Sequence, residues 1–183
     1  MKAIFFDRDG IVNKKLENDY VKNINEFKFI DVFFVFFELC KKYDYMNILV
    51  TNQQCVGKKI ITAQELDIIH NYMQEELISR TGKGFDAIYY SPDLADSGSI
   101  TRKPEAGMFF QAINKFNIVP GKSWTIGDSI SDVIAGKRAA TNTVLIGNYS
   151  NVIEADFIFK TLNDAFYFFK DVVFNNKYEI NND

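Results

Sequence analysis

Cysteine and histidine are nearly missing from this chain. Cys40 and Cys55 are its two thiols and His70 its one imidazole, and no CxxC pair occurs. That argues against a disulfide framework and against a zinc site built from Cys and His ligands. A surplus of positive charge is missing as well. At a net charge of −3 the chain has no broad basic face to neutralise a nucleic-acid backbone, so a nucleic-acid partner is not expected. No apolar run is long enough to span a bilayer, and the charges of Asp7 and Arg8 arrive too early for the apolar core of a signal peptide. A soluble, cytoplasmic protein with no membrane partner is therefore expected. Internal repeats, linkers and an inserted domain are also lacking.

What remains is ordinary globular material: 183 residues, 47% hydrophobic and 25% charged, enough for one substantial core. The expectation is a single domain over residues 1–174 with a polar tail at 175–183 that frays. Eighteen phenylalanines are a heavy aromatic load, and most should be core.

The chain opens on an apolar run, Ala3 to Phe6, that stops at Asp7-Arg8-Asp9-Gly10. A continuous apolar run bounded by a turn suits a parallel strand covered on both faces, and in open α/β sheets ligands gather beyond the carboxyl ends of such strands. Two carboxylates packed there repel unless a cation compensates them. The bland alternative is a solvated Asp-rich turn with Gly10 at the bend.

The same grammar repeats. Residues 14–25 form a polar loop long enough to lie over the strand ends, and 26–43 carry helical spacing at Phe33, Phe36, Phe37 and Cys40. A second strand at 45–50 ends in Thr51-Asn52-Gln53, followed by a loop at 54–59. Thr62 and Glu65 make a capping box for a helix whose inner stripe is Leu66, Ile69, Met73 and Leu77. His70 lies beside that stripe, as a flank residue rather than a base, and Cys55 has no histidine near it to make it a nucleophile.

A third strand at 85–90 leads to a polar loop at 91–101, then Arg102-Lys103-Pro104 and a helix over 106–116. A fourth strand at 123–126 ends in Gly127-Asp128-Ser129-Ile130-Ser131-Asp132, and a helix to about 140 follows. Strands at 143–146 and 156–159 and a helix over 161–173 complete the body. Strands alternating with helices imply a Rossmann-like doubly wound, mainly parallel α/β sheet with helices on both faces and no inserted cap. Its carboxyl edge would then gather Asp7, Asp9, Thr51, Lys103 and Asp128.

Taken together, DRDG, VTNQ, RKP and GDSISD resemble the four motifs of the haloacid dehalogenase superfamily of phosphohydrolases. More narrowly, FFDRDGIVN, DYV, FKFID, VTNQ, YYSP, RKP and IGDSISDVIAG are similar to the histidinol-phosphatase and D-glycero-D-manno-heptose 1,7-bisphosphate phosphatase family, over roughly residues 2–147. The resemblance implies Asp7 as nucleophile, forming an aspartyl-phosphate, and Asp9 as general acid and base. It implies Mg2+ on the carboxylates of Asp7 and Asp128 and the backbone carbonyl of Asp9, with Asp132 acting through a water or a lysine. Thr51 and Lys103 would hold phosphoryl oxygens, while Arg8, Asn52, Arg102 and Ser129 would contact substrate or phosphate.

The chain departs from the family's pattern. Where many relatives carry Cys and His zinc ligands it has Ser91-Pro92-Asp93 and Ile100-Thr101, so no zinc is expected. Ser129 stands where heptose-bisphosphate phosphatases have lysine, and Gln54-Cys55 where they have Ser-Gly. The implied function is a Mg2+-dependent phosphomonoesterase for a small phosphorylated metabolite, a heptose (bis)phosphate or related sugar phosphate, acting as a monomer or weak homo-oligomer. Histidinol phosphate and a polynucleotide 3'-phosphate are the alternative substrates, and a non-catalytic phosphate-binding module is the alternative of another class.

Overall fold

The computed structural model describes residues 1–175, so all but the first residue of the polar segment 175–183 lies outside the described residues. Six strands form one parallel sheet: β1 (Lys2–Phe6), β2 (Tyr45–Asn52), β3 (Ala87–Ser91), β4 (Trp124–Gly127), β5 (Asn142–Ile146) and β6 (Phe157–Phe159). Their order across the sheet is β3-β2-β1-β4-β5-β6. The helices are α1 (Asp31–Lys42), α2 (Gln54–Gly57), α3 (Ala63–Thr81), α4 (Gly107–Phe116), α5 (Ile130–Arg138) and α6 (Leu162–Phe168).

The two faces of β1 show why the strands are buried. Side chains alternate along a strand, so Ile4 and Phe6 join one core, with α1, α3 and α6, while Ala3 and Phe5 join the other, with α4 and α5. Phe6 meets Phe33 and Phe36 of α1 edge-on at 5.3 and 5.9 Å, and Phe5 lies 4.9 Å from Phe109 of α4. Burying each ring stabilises the fold by on the order of 2 kcal/mol. No helix among the described residues is long and apolar enough to cross a membrane.

Three local expectations are revised. The first helix begins at Asp31, not at residue 26, because the segment before it is extended and paired: Lys14 N–H donates to Lys28 C=O and Ile30 N–H to Val12 C=O. Phe27 and Phe29 sit T-shaped on each other 4.9 Å apart, which pins that segment. Residues 54–57 form the single helical turn α2 where the sequence suggests only loop. The last helix ends at Phe168 and continues as a π-turn over Phe169–Val173.

Candidate active site

The strand order places β1 between β2 and β4, so the chain leaves toward one side of the sheet after β1 and toward the other after β3. Loops diverge at such a switch point and leave a crevice beyond the strand ends. Here a cleft of about 190 Å3 opens, walled by Asp7 and Asp9 after β1, Thr51 in β2, Lys103, and Asp128 after β4. Lys15, Tyr20 and Val21 of the 14–25 loop close one side. A neighbouring cleft of about 520 Å3 shares Asn52, Arg102, Lys103 and Ser131 with it.

Lys103 is the cationic centre. Only 4% exposed, its Nζ lies 2.8 Å from Asp7 Oδ1, 2.6 Å from Asp132 Oδ1 and 2.7 Å from the Val50 carbonyl. Burial works against its charge, but Asp132 and Asp7 outweigh that and raise its pKa. Asn52 sets the backbone beneath it, donating its amide to the Lys103 carbonyl at 2.9 Å and accepting from the Lys103 N–H at 3.0 Å. Asn52 thus lines the cleft while tying the end of β2 to this turn.

The carboxylates are held from below. Asp132 Oδ2 accepts from Ser129 N–H at 3.0 Å and Ser129 Oγ at 2.8 Å, closing the capping box of α5 while its other oxygen faces Lys103. Asp128 receives Lys15 Nζ at 2.7 Å. Burial pushes the Asp7 carboxyl up to about 7, opposed by Lys103 and reinforced by Asp132, Asp128 and Asp9. Burial likewise raises Asp128, against the pull of Lys15.

Carboxylate oxygens of Asp7, Asp128 and Asp132 lie within 4.8 Å of one another. This donor set is all hard oxygen, carries more negative charge than Lys103 can offset, and suits a small divalent cation such as Mg2+. Gly10 belongs to the same construction. Its φ is +90°, and a Cβ there would stand 2.3 Å from Asp128 Oδ2, so only glycine lets the loop pass this close to the acid.

Asp9 is set differently. Arg8 Nη2 donates to both of its oxygens at 3.2 and 3.0 Å, Asn13 Nδ2 to Oδ1 at 2.9 Å, and Gln53 Nε2 to Oδ2 at 3.0 Å. Burial pushes the Asp9 carboxyl up, but Arg8 and these hydrogen bonds outweigh it and hold the group below its usual range.

The structure corrects the reading of Arg8 as a substrate contact. Its side chain is 1% exposed, turned into the protein onto Asp9 and His70, and absent from the cleft wall. His70 is likewise no flank residue: it is 5% exposed, since the α3 face that carries it packs over the loop after β1. Arg102 does reach both clefts, its guanidinium anchored to the Asp93 carbonyl at 2.8 Å, and Ser129 lines the smaller one. Lys15, Asn13 and Gln53 were not singled out by sequence reasoning. Asn13 and Gln53 left a trace, each a polar residue beside an apolar run in a strand-end segment.

The loop at 91–102 is knotted around one carboxylate. Asp93 Oδ2 accepts from the hydroxyls of Ser91, Ser99 and Thr101, and Ser99 and Thr101 are 2.9 Å apart. These bonds hold the loop that carries Arg102 to the cleft.

A largely buried acid at the carboxyl end of β1, a second acid two residues on, a lysine across the cleft and a carboxylate cluster together define a hydrolase of the kind that works on phosphate esters. A family model described as HAD-hydrolase-like matches residues 100–165. The chain is 33% identical over 175 residues to the D-glycero-beta-D-manno-heptose-1,7-bisphosphate 7-phosphatase of Pasteurella multocida, covering 89% of this chain and 94% of that one. It is 34% identical to the D-glycero-alpha-D-manno-heptose-1,7-bisphosphate 7-phosphatase of Campylobacter jejuni, covering 93% and 96%. Among solved structures, D,D-heptose 1,7-bisphosphate phosphatase from B. bronchiseptica, complexed with magnesium and phosphate, superposes with a TM-score of 0.81 at 24% identity, over 91% of this chain and 97% of that one. The chain belongs to the haloacid dehalogenase-like phosphatases, in the family of the heptose-1,7-bisphosphate phosphatases, and is a phosphoric monoester hydrolase.

Proposed function

We propose that the substrate is a heptose 1,7-bisphosphate, that its 7-phosphate is removed, and that Asp7 is the nucleophile. The observation that carries the chemistry is the Lys103 ammonium, 2.8 Å from Asp7 and buried between it and Asp132. A fixed cation there orients the nucleophilic carboxylate and meets charge as it develops on the phosphoryl oxygens. The names of the relatives supply the sugar.

The first step forms a bond between an Asp7 oxygen and phosphorus as the ester P–O bond breaks. Asp9 gives its proton to the departing sugar oxygen. Its resting carboxylate is held ionised, and the approach of a phosphate dianion supplies the negative field that brings the proton on. In the second step Asp9 takes a proton from water, the oxygen attacks phosphorus, and the Asp7–phosphorus bond breaks to release phosphate. Thr51 and Lys103 line the cleft with Asp7, and in this reading they hold the phosphoryl oxygens. The smaller cleft takes this phosphoryl group and the adjoining cleft the rest of the sugar bisphosphate, with Arg102 at their boundary.

Mg2+ fits on the carboxylates of Asp7 and Asp128 with the Asp9 backbone carbonyl, and when bound it supplies Lewis-acid stabilisation of phosphoryl charge. Because both oxygens of Asp132 are engaged, Oδ1 by Lys103 and Oδ2 by Ser129, Asp132 is assigned to the lysine rather than to the ion.

Metal binding should depend on pH with a defined sign. Protons compete with the ion at Asp7 and Asp128, whose carboxyls are both raised, Asp7 to about 7. Affinity for Mg2+ therefore rises with pH and drops by up to about 50-fold between pH 7 and pH 5 from Asp7 alone. At 100 times its Kd, Mg2+ should stabilise the fold by about 2.7 kcal/mol. Thermal melts at pH 8 should then show a rise of roughly 5–10 °C that largely disappears at pH 5. Equal shifts at both values would remove these two acids from the ion's site.

The substrate reading is tested by phosphate release with Mg2+ from both anomers of heptose 1,7-bisphosphate, heptose 7-phosphate, hexose phosphates, histidinol phosphate and a 3'-phosphorylated oligonucleotide. A heptose bisphosphate should exceed the others in kcat/KM by at least about 10-fold. A faster histidinol phosphate or oligonucleotide would replace it.

A further inference from the structure

The one histidine of the chain lies 62 residues from Arg8, yet it takes part in holding the site. His70 Nε2 is 3.4 Å from Arg8 Nη1, while Nη2 of the same guanidinium bridges both oxygens of Asp9. A guanidinium only donates, so Nε2 must accept and the ring proton sits on Nδ1. Tyr90 flanks the ring edge-on at 5.9 Å. Burial and Arg8 together, against Asp9, drive the imidazole pKa down to about 3, so it is neutral wherever the protein is folded and active.

A neutral acceptor is the residue type this position requires. A carboxylate beside Arg8 would divide the guanidinium's charge between two acids and loosen its hold on Asp9. An apolar residue would leave a buried N–H without an acceptor on an arginine that is 1% exposed and whose Nε already has none. Imidazole avoids both. Asn13 and Gln53 complete the set from two other segments, the loop after β1 and the end of β2.

We propose that His70 is a positioning residue for leaving-group protonation: it aims Arg8, which with Asn13 and Gln53 fixes the Asp9 carboxyl where the departing oxygen stands. The inference rests on Asp9 as the acid of the proposed reaction. It concerns the first step, so in the transfer of phosphorus to Asp7 it acts on substrates whose leaving group needs a proton and spares those whose leaving group does not; the second step, where Asp9 serves as base, is common to both.

The test measures the single-turnover release of the leaving group, which precedes the shared second step, and compares heptose 1,7-bisphosphate, whose sugar leaves as a basic alkoxide, with p-nitrophenyl phosphate, whose phenolate is stable, both with Mg2+. His70→Leu should lower the single-turnover rate on the sugar phosphate by about 10- to 100-fold at unchanged half-saturating concentration and change the p-nitrophenyl rate by less than about 3-fold. His70→Gln, whose side-chain carbonyl can accept from Arg8, should recover most of the loss. Asp9→Asn is the control, and its loss should be far larger on the sugar phosphate than on the aryl phosphate. Circular dichroism and melting temperature report folding, and His70→Met makes the same removal should the leucine variant not fold.

Equal losses on the two substrates in His70→Leu, or none on either, overturn the positioning role while a selective Asp9→Asn leaves the acid in place. An Asp9→Asn variant with equal losses on both overturns the acid and the inference together.

Discussion

Asp7→Asn should lower phosphate release by about 10⁴-fold or more while the protein stays folded. Asparagine matches aspartate in size and its carbonyl oxygen can still accept from Lys103, but an amide oxygen does not attack phosphorus to give an acyl phosphate that water can reopen. The fold should tolerate the change, because the native acid is held against its preference. Its pKa stands at about 7 in the fold against an ordinary 3.8. The folded chain then binds more protons than the unfolded chain between those values, so the contribution of Asp7 to stability falls as pH rises through that window. Asparagine has no such loss. Without added metal, the variant should therefore match or exceed the wild-type melting temperature at pH 8, and their difference should shrink toward pH 4. Turnover near the wild-type rate would sink the nucleophile assignment; a melting temperature far below wild type would mean that Asp7 chiefly stabilises the fold.

Lys103→Met carries the second large effect, and here activity and stability fall together. Lys103 is the buried cation between Asp7 and Asp132, and Asp128 belongs to the same cluster. Methionine fills much of the volume and leaves those carboxylates facing one another, with Lys15, itself 56% exposed, as the remaining cation against Asp128. Removing one partner of a buried ion pair typically costs about 3–5 kcal/mol. For a chain of this length that is a drop of roughly 6–20 °C in melting temperature. Loss of a fixed charge aimed at the phosphoryl oxygens should lower kcat by about 10²- to 10³-fold. Mg2+ should recover part of the stability by compensating the acids, and little of the rate. A methionine variant that melts with the wild type would show that the acids are neutralised in some other way.

The two variants separate tasks that the geometry combines at one point. Lys103 touches Asp7, Asp132 and a strand carbonyl at once, so its charge orients the acid, compensates the cluster and faces the phosphoryl position. Asp9 sits apart in its own set of donors. The two acids of the DRDG segment consequently differ in character, Asp7 raised by burial and like charges and Asp9 lowered by Arg8 and neutral amides. In the metal-free protein these displacements run opposite to what a nucleophile and a general acid require; Mg2+ bound at Asp7 would bring its carboxyl down, and a phosphate dianion beside Asp9 would bring that one up.

Much of this was legible from the sequence because it depends on local pattern. Apolar runs stopping at Asp7, Thr51 and Asp128 mark buried strands and place those residues at carboxyl ends, since burial on both faces demands continuous hydrophobicity. The Thr62–Glu65 capping box marks the start of α3, and the stripe of Leu66, Ile69, Met73 and Leu77 marks its inner face. Short-range sterics and hydrogen bonding decide such features. The extended segment at 27–30 was not legible, because its conformation is set by pairing with residues 12–14 and not by its own composition.

Only the tertiary structure decided how the site is wired. Lys103 reaches Asp7 across 96 residues and Gln53 reaches Asp9 across 44, distances over which a sequence carries no angular information. Arg8 could as well have faced the cleft as the core; alternation along the chain ends at the strand, and the loop after it is free of that rule. Its inward turn was settled by the acceptors there, Asp9 and the neutral ring of His70, because a buried guanidinium is stable only where its donors are met. The sequence alone named the chemistry of the strand ends, and packing determined which side chains touch substrate and which hold the others in place.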